Sequence, residues 1–250
     1  MNKIDKVTLL QSNFNKIRTF ENYTKIDNVN KKLELLFIYH TNALEGNSLS
    51  LTATQKALTG QTVGGKTIKE HLEVTNLRES LNLIKYMAEH QDKFCVPILL
   101  EIYYTVLLRS NMKTAWLKAN DLRSKQRINN EFRELAEVST GISEIMKWYR
   151  SVTDSRTSNI HPVIIATTLF SKLLKLKPFN YENERISKLV LNFELLKCRY
   201  PIVIIEKKDK SKFDNAVHTA IYMDGIEPLT EIITVSLIKN MQMYIKATSN

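Results

Sequence analysis

Apolar side chains recur every three or four positions through most of this 250-residue chain, and this spacing predicts amphipathic α-helices. One stripe begins at Val29 and runs to Leu44. It stops at Gly46, because glycine readily takes the left-handed backbone that follows a helix end. Further helices are predicted at Ser50 to Leu58, Glu70 to His90, Pro97 to about Arg109, about Leu135 to Tyr149, Pro162 to Leu176, Ile186 to Leu196, Lys212 to Met223 and Pro228 to Lys246.

Three segments lack such a stripe. Residues 1–28 are polar and mixed, which predicts one helix that frays. The stretch from Asn111 to Asn130 is polar and basic, and it predicts a loop with a small hairpin. The β-branched run from Tyr200 to Ile205 fits either a loop or a short strand. Because no linker or internal repeat divides the helical segments, the predicted fold class is all-α.

Composition limits the class of protein that this fold can belong to. Apolar residues make up 43% of the chain, which is enough for a core, yet no apolar run approaches the roughly 18 residues of a membrane span. Cys95 and Cys198 form no CxxC pair, which is typical of reduced thiols in a cytoplasmic protein. The five histidines are scattered and never paired at helical spacing, so no metal constellation is predicted from them.

The net charge of +10 raises nucleic acid as a partner. The lysines are spread through the chain rather than gathered in one tract, and no nucleic-acid-binding motif accompanies them. A basic surface with a generic attraction to polyanions is the preferred interpretation of the charge. Nucleic-acid binding is therefore kept only as an alternative function.

The stretch from Leu176 to Lys188 separates two helical runs and concentrates charge. A loop that leads into a helix N-terminus is a natural anion site, since unpaired N–H groups and the helix dipole both point at it. A polar connection between two helices is the other interpretation of the same residues. Distant residues decide between the two.

Two stretches together resemble proteins of the Fic (fido) family. The first runs from Thr41 through Glu45 and Gly46 to Leu49 and continues through residues 64–66 into Glu70 to Asn76. It resembles the N-terminal region of members that carry their own inhibitory helix. The second is the run KPFNYENERISK at residues 177–188, which lies where the family carries His-Pro-Phe-x-Asp/Glu-Gly-Asn-Gly-Arg-x-x-Arg. The resemblance covers residues 29 to about 245.

This resemblance implies a helical fold with a small β-hairpin flap and the transfer of AMP from ATP to a target hydroxyl, with Mg²⁺ as the metal. It also implies that the helix at residues 29–46 is inhibitory, with Thr41, Glu45 and Gly46 as its motif. The flap would lie near Ala119 to Phe132 and dock a protein target. On this basis residues 1–28 are an extension to a domain that spans residues 29–250.

Several catalytic positions of the family carry other residues here. Lys177 falls at the family's general-base histidine, and a lysine ordinarily stays protonated near pH 7. Tyr181 falls at the acid that holds Mg²⁺, for which Glu182 is the substitute ligand if the loop shifts by one residue. The two glycines of the anion-binding loop are replaced by Glu182 and Glu184, which lose the conformational freedom of glycine.

Other features of the loop match the family. Asn183 and Arg185 keep the family identities for phosphate contact, and Lys188 keeps the charge of the final arginine without its bidentate geometry. Lys188 or Arg185 would then pair with Glu45. A solvated basic edge on the helix is the alternative interpretation of Arg185 and Lys188.

Three functional hypotheses follow. In the first, the chain keeps the Fic scaffold and inhibitory helix but has lost ordinary AMP transfer, and it binds a nucleotide, a phosphorylated ligand or a protein partner. In the second, it is an active transferase with a different donor or mechanism. In the third, it is a basic nucleic-acid-binding protein. Whether it is an enzyme at all depends on the altered loop.

Overall fold

The predicted helices form and are joined mostly by short turns, which confirms the all-α class. The computed structural model describes residues 3–107, 136–154 and 159–249. The helices in this part of the chain are α1 Lys3–Ile17, α2 Tyr23–Leu44, α3 Leu51–Leu58, α4 Ile68–Glu89, α5 Val96–Leu107, α6 Ala136–Thr153, α7 Pro162–Leu176, α8 Asn183–Lys197, α9 Lys210–Tyr222 and α10 Glu227–Thr248, with a 3₁₀ turn at Lys207–Asp209.

The prediction of one helix over residues 1–28 is wrong. Helix α1 ends at Ile17. The side-chain amide of Asn22 donates to the Ile17 carbonyl at 3.0 Å, which gives a hydrogen-bond partner to one of the carbonyl groups at the helix end. Helix α2 then begins at Tyr23, six residues before the apolar stripe of Val29. Because α2 runs unbroken through residue 28, the division into an extension and a domain stays a prediction.

Helices α7 and α8 form the centre of the fold. Pro162 opens α7 in its first turn, and the Nδ1 atom of His161 caps it by accepting from the Val163 N–H at 3.2 Å. Helix α8 packs against α4, α5 and α7, and every residue from Arg185 to Leu195 is buried. A helix that is buried on all faces brings its polar residues into the interior with the apolar ones.

Residues 201–206 are an extended loop rather than a strand. Side chains of neighbouring helices satisfy its backbone: Asn192 Oδ1 accepts from the Val203 N–H at 2.6 Å, and the Ser236 hydroxyl both accepts from and donates to the Ile204 backbone. Because these polar side chains replace a partner strand, the β-branched run pairs with no other strand in the described part of the chain. Its side chains are buried against the helices.

The end of α2 adopts the predicted geometry. Gly46 has a φ of 93°, its N–H donates to Ala43 at 3.3 Å, and the Asn47 N–H donates to Asn42 at 3.0 Å. These two bonds define a Schellman motif, in which a left-handed residue closes the helix. The prediction for the backbone of Gly46 is therefore confirmed.

Replacing Gly46 by alanine is expected to lower the free energy of unfolding by about 1 kcal/mol, because the left-handed backbone strains any residue with a Cβ atom. The added methyl group would meet no atom within 4 Å, so the loss of stability would come from backbone strain alone. Gly64→Ala is the matched control, since its Cβ also meets nothing and its φ is not positive. Urea denaturation measures both; an equal loss for the two variants would contradict the explanation.

Two further predictions concern chain segments and membranes. The expected flap, Ala119 to Phe132, lies outside the described residues. Among the helices that the structure describes, none combines the length and the apolar character needed to cross a bilayer.

Candidate functional site at the start of helix α8

The loop that joins α7 to α8 is anchored by its apolar residues and by Asn183. The buried Phe179 ring stacks on Tyr103 of α5, with ring centroids 4.1 Å apart. The Asn183 amide holds the Phe179 backbone, accepting from its N–H at 2.9 Å and donating to its carbonyl at 2.7 Å. Pro178 is buried beside them. Asn183, predicted to contact phosphate, thus holds the loop in place with both ends of its side chain.

The side chains of Lys177 and Tyr181, at the positions expected for the general base and the metal ligand, both reach solvent. Lys177 lies at the C-terminal end of α7 with a left-handed φ of 47° and a side chain that reaches the surface. Tyr181 is 71% exposed. Neither side chain forms an ion pair with the described part of the chain, so no charged neighbour in this region orients either one for proton transfer or for metal binding.

Glu182, which falls at a glycine of the resembling family motif, has a backbone conformation that glycine adopts without strain. Its φ of 65° lies in the left-handed region just before α8. This conformation costs a residue other than glycine about 1 kcal/mol or more. The expectation that a glutamate loses the left-handed geometry is therefore wrong: the geometry persists, with strain.

Arg185 is buried, with 3% of its surface exposed, and it is held by two carboxylates. Its Nη1 atom donates to Glu182 Oε2, and its Nη2 atom lies 3.9 Å from Glu73 Oε2 on α4. The buried Nε–H has no hydrogen-bond partner among the described residues. The guanidinium thus keeps a buried N–H that no described residue accepts from.

Lys188 is also buried, with 2% exposed, one turn further along α8. Its ammonium donates to Glu184 Oε1 at 2.5 Å and lies 3.5 Å from Glu45 Oε1 at the end of α2. The ring of Phe213 lies below it, 5.5 Å from Nζ. The structure therefore brings Glu45 together with Lys188, and the interpretation of Arg185 and Lys188 as a solvated edge is wrong because α8 is buried on every side.

These contacts form one electrostatic cluster, the α8 charge cluster. It consists of the buried cations Arg185 and Lys188 and of the four carboxylates that contact them, Glu45, Glu73, Glu182 and Glu184. The carboxylates outnumber the buried cations by two. A further cation, the exposed Lys69, lies at the edge of the cluster, 3.9 Å from Glu73.

The Glu45 carboxyl of this cluster is perturbed chiefly by its burial. Burial raises the pKa of its carboxyl above the ordinary value of 4.5 and outweighs the opposing attraction of Lys188, while Glu184 adds to the rise. Burial thus disfavours the charged form of Glu45 relative to an exposed carboxylate. Thr41 is buried one turn earlier on the same helix.

Glu45→Gln is expected to change how stability depends on pH. A carboxyl with a raised pKa gives its full stability below its unfolded pKa and loses it as pH rises through the folded pKa. The wild type should therefore lose stability above about pH 4.5, and the variant should lose less over the same interval. Urea denaturation across this interval tests it. A difference between the two proteins that stays constant with pH would exclude Glu45 as the titrating group.

Solved structures share this arrangement of helices along almost the whole chain. A Fic-domain-containing signaling protein from Bacteroides thetaiotaomicron VPI-5482 superposes with a TM-score of 0.82, at 22% identity, and the match covers 99% of this chain and 97% of that one. Fic-1 from Caenorhabditis elegans superposes with a TM-score of 0.81, at 24% identity, over 98% of this chain and 71% of that one. The chain has the Fic (fido) fold.

Curated proteins similar to this Fic-fold chain are named adenylyltransferases. Protein adenylyltransferase fic-1 of Caenorhabditis elegans is 26% identical over 243 residues, which are 95% of this chain and 46% of that protein. Protein adenylyltransferase Fic of Drosophila ananassae is 28% identical over 218 residues, or 85% and 42%. The chain thus spans about half the length of the curated relatives it matches. No protein-family model matches the sequence.

The side chains of this Fic-fold chain do not fit ATP with bound Mg²⁺ as they stand. Glu182, the proposed metal ligand, is engaged by Arg185, and the neutral phenol of Tyr181 is a poor ligand for a hard cation. Within the described ranges, no group of three or more His, Cys, Asp or Glu side chains is placed to hold a metal ion. A triphosphate would meet two cations that carboxylates already contact.

Three contributors to this Fic-fold site were not identified as site residues from the sequence. Glu73 and Asn47 act together, since the Asn47 amide donates to Glu73 Oε2 at 2.8 Å and to the Glu70 carbonyl at 3.1 Å, which ties the end of α2 to α4. Asn42 is buried on α2, and neither its amide nitrogen nor its oxygen has a partner among the described residues. Asn47 and Glu73 fall inside the resembling stretches, but no spacing distinguishes them.

Proposed function

We propose that this chain is a Fic-fold relative of the protein adenylyltransferases in which AMP transfer from ATP is lost or severely weakened. The observation that carries the proposal is Lys177. It occupies the position of the family base, its side chain reaches solvent, and no described carboxylate forms an ion pair with it. A general base must accept a proton near neutral pH, and a solvated lysine is ordinarily already protonated there.

A protein-binding role accounts for what remains. The scaffold is intact, and the loop presents solvent-accessible side chains at Lys177, Asn180 and Tyr181 in a chain whose relatives are named for acting on proteins. In this proposal Glu45 on α2 keeps an inhibitory role through its contact with Lys188. Any loss of that contact would then change the accessibility of the α8 charge cluster.

A ligand with a single phosphate group, such as a phosphorylated side chain or a nucleoside monophosphate, is the second candidate. The buried Nε–H of Arg185, from which no described residue accepts, favours it, because a buried donor without a partner is costly and a phosphate oxygen would satisfy it. Binding would require the carboxylates of the α8 charge cluster to move away from Arg185 and Lys188.

Incubation with ATP labelled on the α-phosphate tests the loss of AMP transfer. We expect no self-modification by the wild type or by Glu45→Gly, above the background set by Arg185→Ala. Label that rises in Glu45→Gly and disappears in Arg185→Ala would refute the proposal. Parallel reactions with labelled GTP, CTP and UTP examine an active transferase with a different donor.

A further inference from the structure

We infer that Glu182 and Glu184 determine which charge of ligand this site accepts, because their carboxylates take the places of ligand phosphates on Arg185 and Lys188. Each glutamate stands where the family has a glycine, and each contacts one cation: Glu182 the guanidinium, Glu184 the ammonium. A glycine at either position could supply no such anion. The loop therefore carries its own counter-ions.

The backbone at Glu182 supports this role independently of the ion pair. Its left-handed φ of 65° disfavours every residue with a Cβ atom, and such strain persists only where surrounding contacts hold it. The carboxylate of Glu182 reaches Arg185 from this conformation. Backbone strain and side-chain contact thus converge on one residue.

The negative charge around the two cations decides the ligand class. Glu45 and Glu73 contact Lys188 and Arg185 from α2 and α4, so each cation already faces two carboxylates. A polyanion would have to displace some of these groups and then lie beside the ones that remain. The Arg185 Nη2 atom lies 3.9 Å from Glu73, and the buried Nε–H has no partner among the described residues, so the charge of the carboxylates rather than a shortage of N–H donors opposes a polyanion.

This assignment rests on the function proposed above and adds to it the class of ligand that the folded site refuses. Nucleoside triphosphates and inorganic polyphosphates are excluded, whereas a neutral or cationic group meets no such repulsion. The failures of the two ideas can be told apart. AMP transfer from ATP by the wild type would overturn both, whereas tight triphosphate binding without transfer would overturn only the charge selection.

Calorimetric titration with inorganic tripolyphosphate and with ATP compares the wild type with Glu182→Gln, Glu184→Gln and the double variant. Glutamine removes the charge and keeps the length of the side chain, so residue 182 remains a residue with a Cβ atom in the left-handed region. We expect each single variant to bind tripolyphosphate about 10-fold more tightly than the wild type, and the double variant about 100-fold, because each frees one charged donor.

The control is a double variant with the same change in net charge, Glu21→Gln/Glu227→Gln, at two exposed positions. It is needed because a chain with a net charge of +10 attracts polyanions generally. An equal gain in the control, or wild-type affinity as high as that of the double variant, would overturn the inference. Circular dichroism confirms folding, and if the double variant is unfolded the affinity of the Glu184→Gln single variant decides the question.

Discussion

Replacing Lys197 by methionine is expected to lower the free energy of unfolding by about 3 kcal/mol, because it leaves a buried carboxylate without its cation. Lys197 Nζ lies 3.3 Å from Glu194 Oε1 and 3.1 Å from the Tyr149 hydroxyl, which itself donates to Glu194. The side chains of Lys197 and Glu194 are only 13% and 9% exposed. Urea denaturation of the two proteins measures the loss.

The loss should depend on pH. Burial already raises the pKa of the Glu194 carboxyl while Lys197 opposes the rise, so removing Lys197 moves the pKa further up. A raised pKa means that stability is lost as pH rises, and the deficit should therefore be larger at about pH 8 than at about pH 5. Adding Glu194→Gln to the variant should recover part of the loss.

The control for Lys197 is an exposed ion pair. Lys3 contacts Glu231 at 2.5 Å, with side chains 50% and 47% exposed, and Lys3→Met should cost less than about 1 kcal/mol. Equal losses for Lys3→Met and Lys197→Met would show that the burial of the Glu194 pair contributes nothing. A loss of stability in Lys197→Met that grows as pH falls would contradict the assignment of Glu194 as the carboxylate left without its cation.

Restoring the family residues of the loop should create measurable AMP transfer. The rate of label incorporation is expected to rise by about 100-fold or more over the wild type, since a positioned general base alone contributes about 10²–10⁴-fold. The measurement uses ATP labelled on the α-phosphate in a chain that also carries Glu45→Gly. The restoring substitutions are Lys177→His, Tyr181→Asp, Glu182→Gly, Glu184→Gly and Lys188→Arg.

The matched control carries every restoring substitution except Lys177→His. It should be as well folded as the full variant in thermal unfolding and should fall back towards the wild-type rate. If it transfers AMP as fast as the full variant, the base position is not what limits the chain. No label from either folded variant would place the defect outside the loop.

Periodicity predicted the helices of this fold because an amphipathic helix depends on local spacing. The stripe that begins at Val29 and the stop at Gly46 became α2 and its Schellman motif. The start of α2 was missed, because the side chain of Asn22 ends α1 through a contact that no hydrophobic pattern records.

The burial of the site could not be predicted in the same way. Periodicity identifies one apolar face of a helix, whereas α8 is covered on every face, so Arg185 and Lys188 lie in the interior. Their partners Glu45 and Glu73 come from α2 and α4, more than 100 residues earlier in the sequence. Only the tertiary packing of three helices brings these charges together.

The side-chain directions of Glu182 and Glu184, at the two altered glycine positions, also could not be predicted from the sequence. The sequence shows that Glu182 and Glu184 add charge, and both could have turned outward into solvent. Instead, Glu182 keeps a left-handed backbone and contacts Arg185, while Glu184 contacts Lys188. Side-chain direction at a helix start depends on neighbouring charges, which the spacing of residues along one chain does not contain.

A crystal structure determined with a non-hydrolysable ATP analogue at saturating concentration tests the central claim most directly, because it shows where the two carboxylates point. The predicted result is Glu182 on Arg185 and Glu184 on Lys188, with no triphosphate at the start of α8. Phosphate oxygens bound to Arg185 and Lys188, with both glutamates turned into solvent, would contradict it.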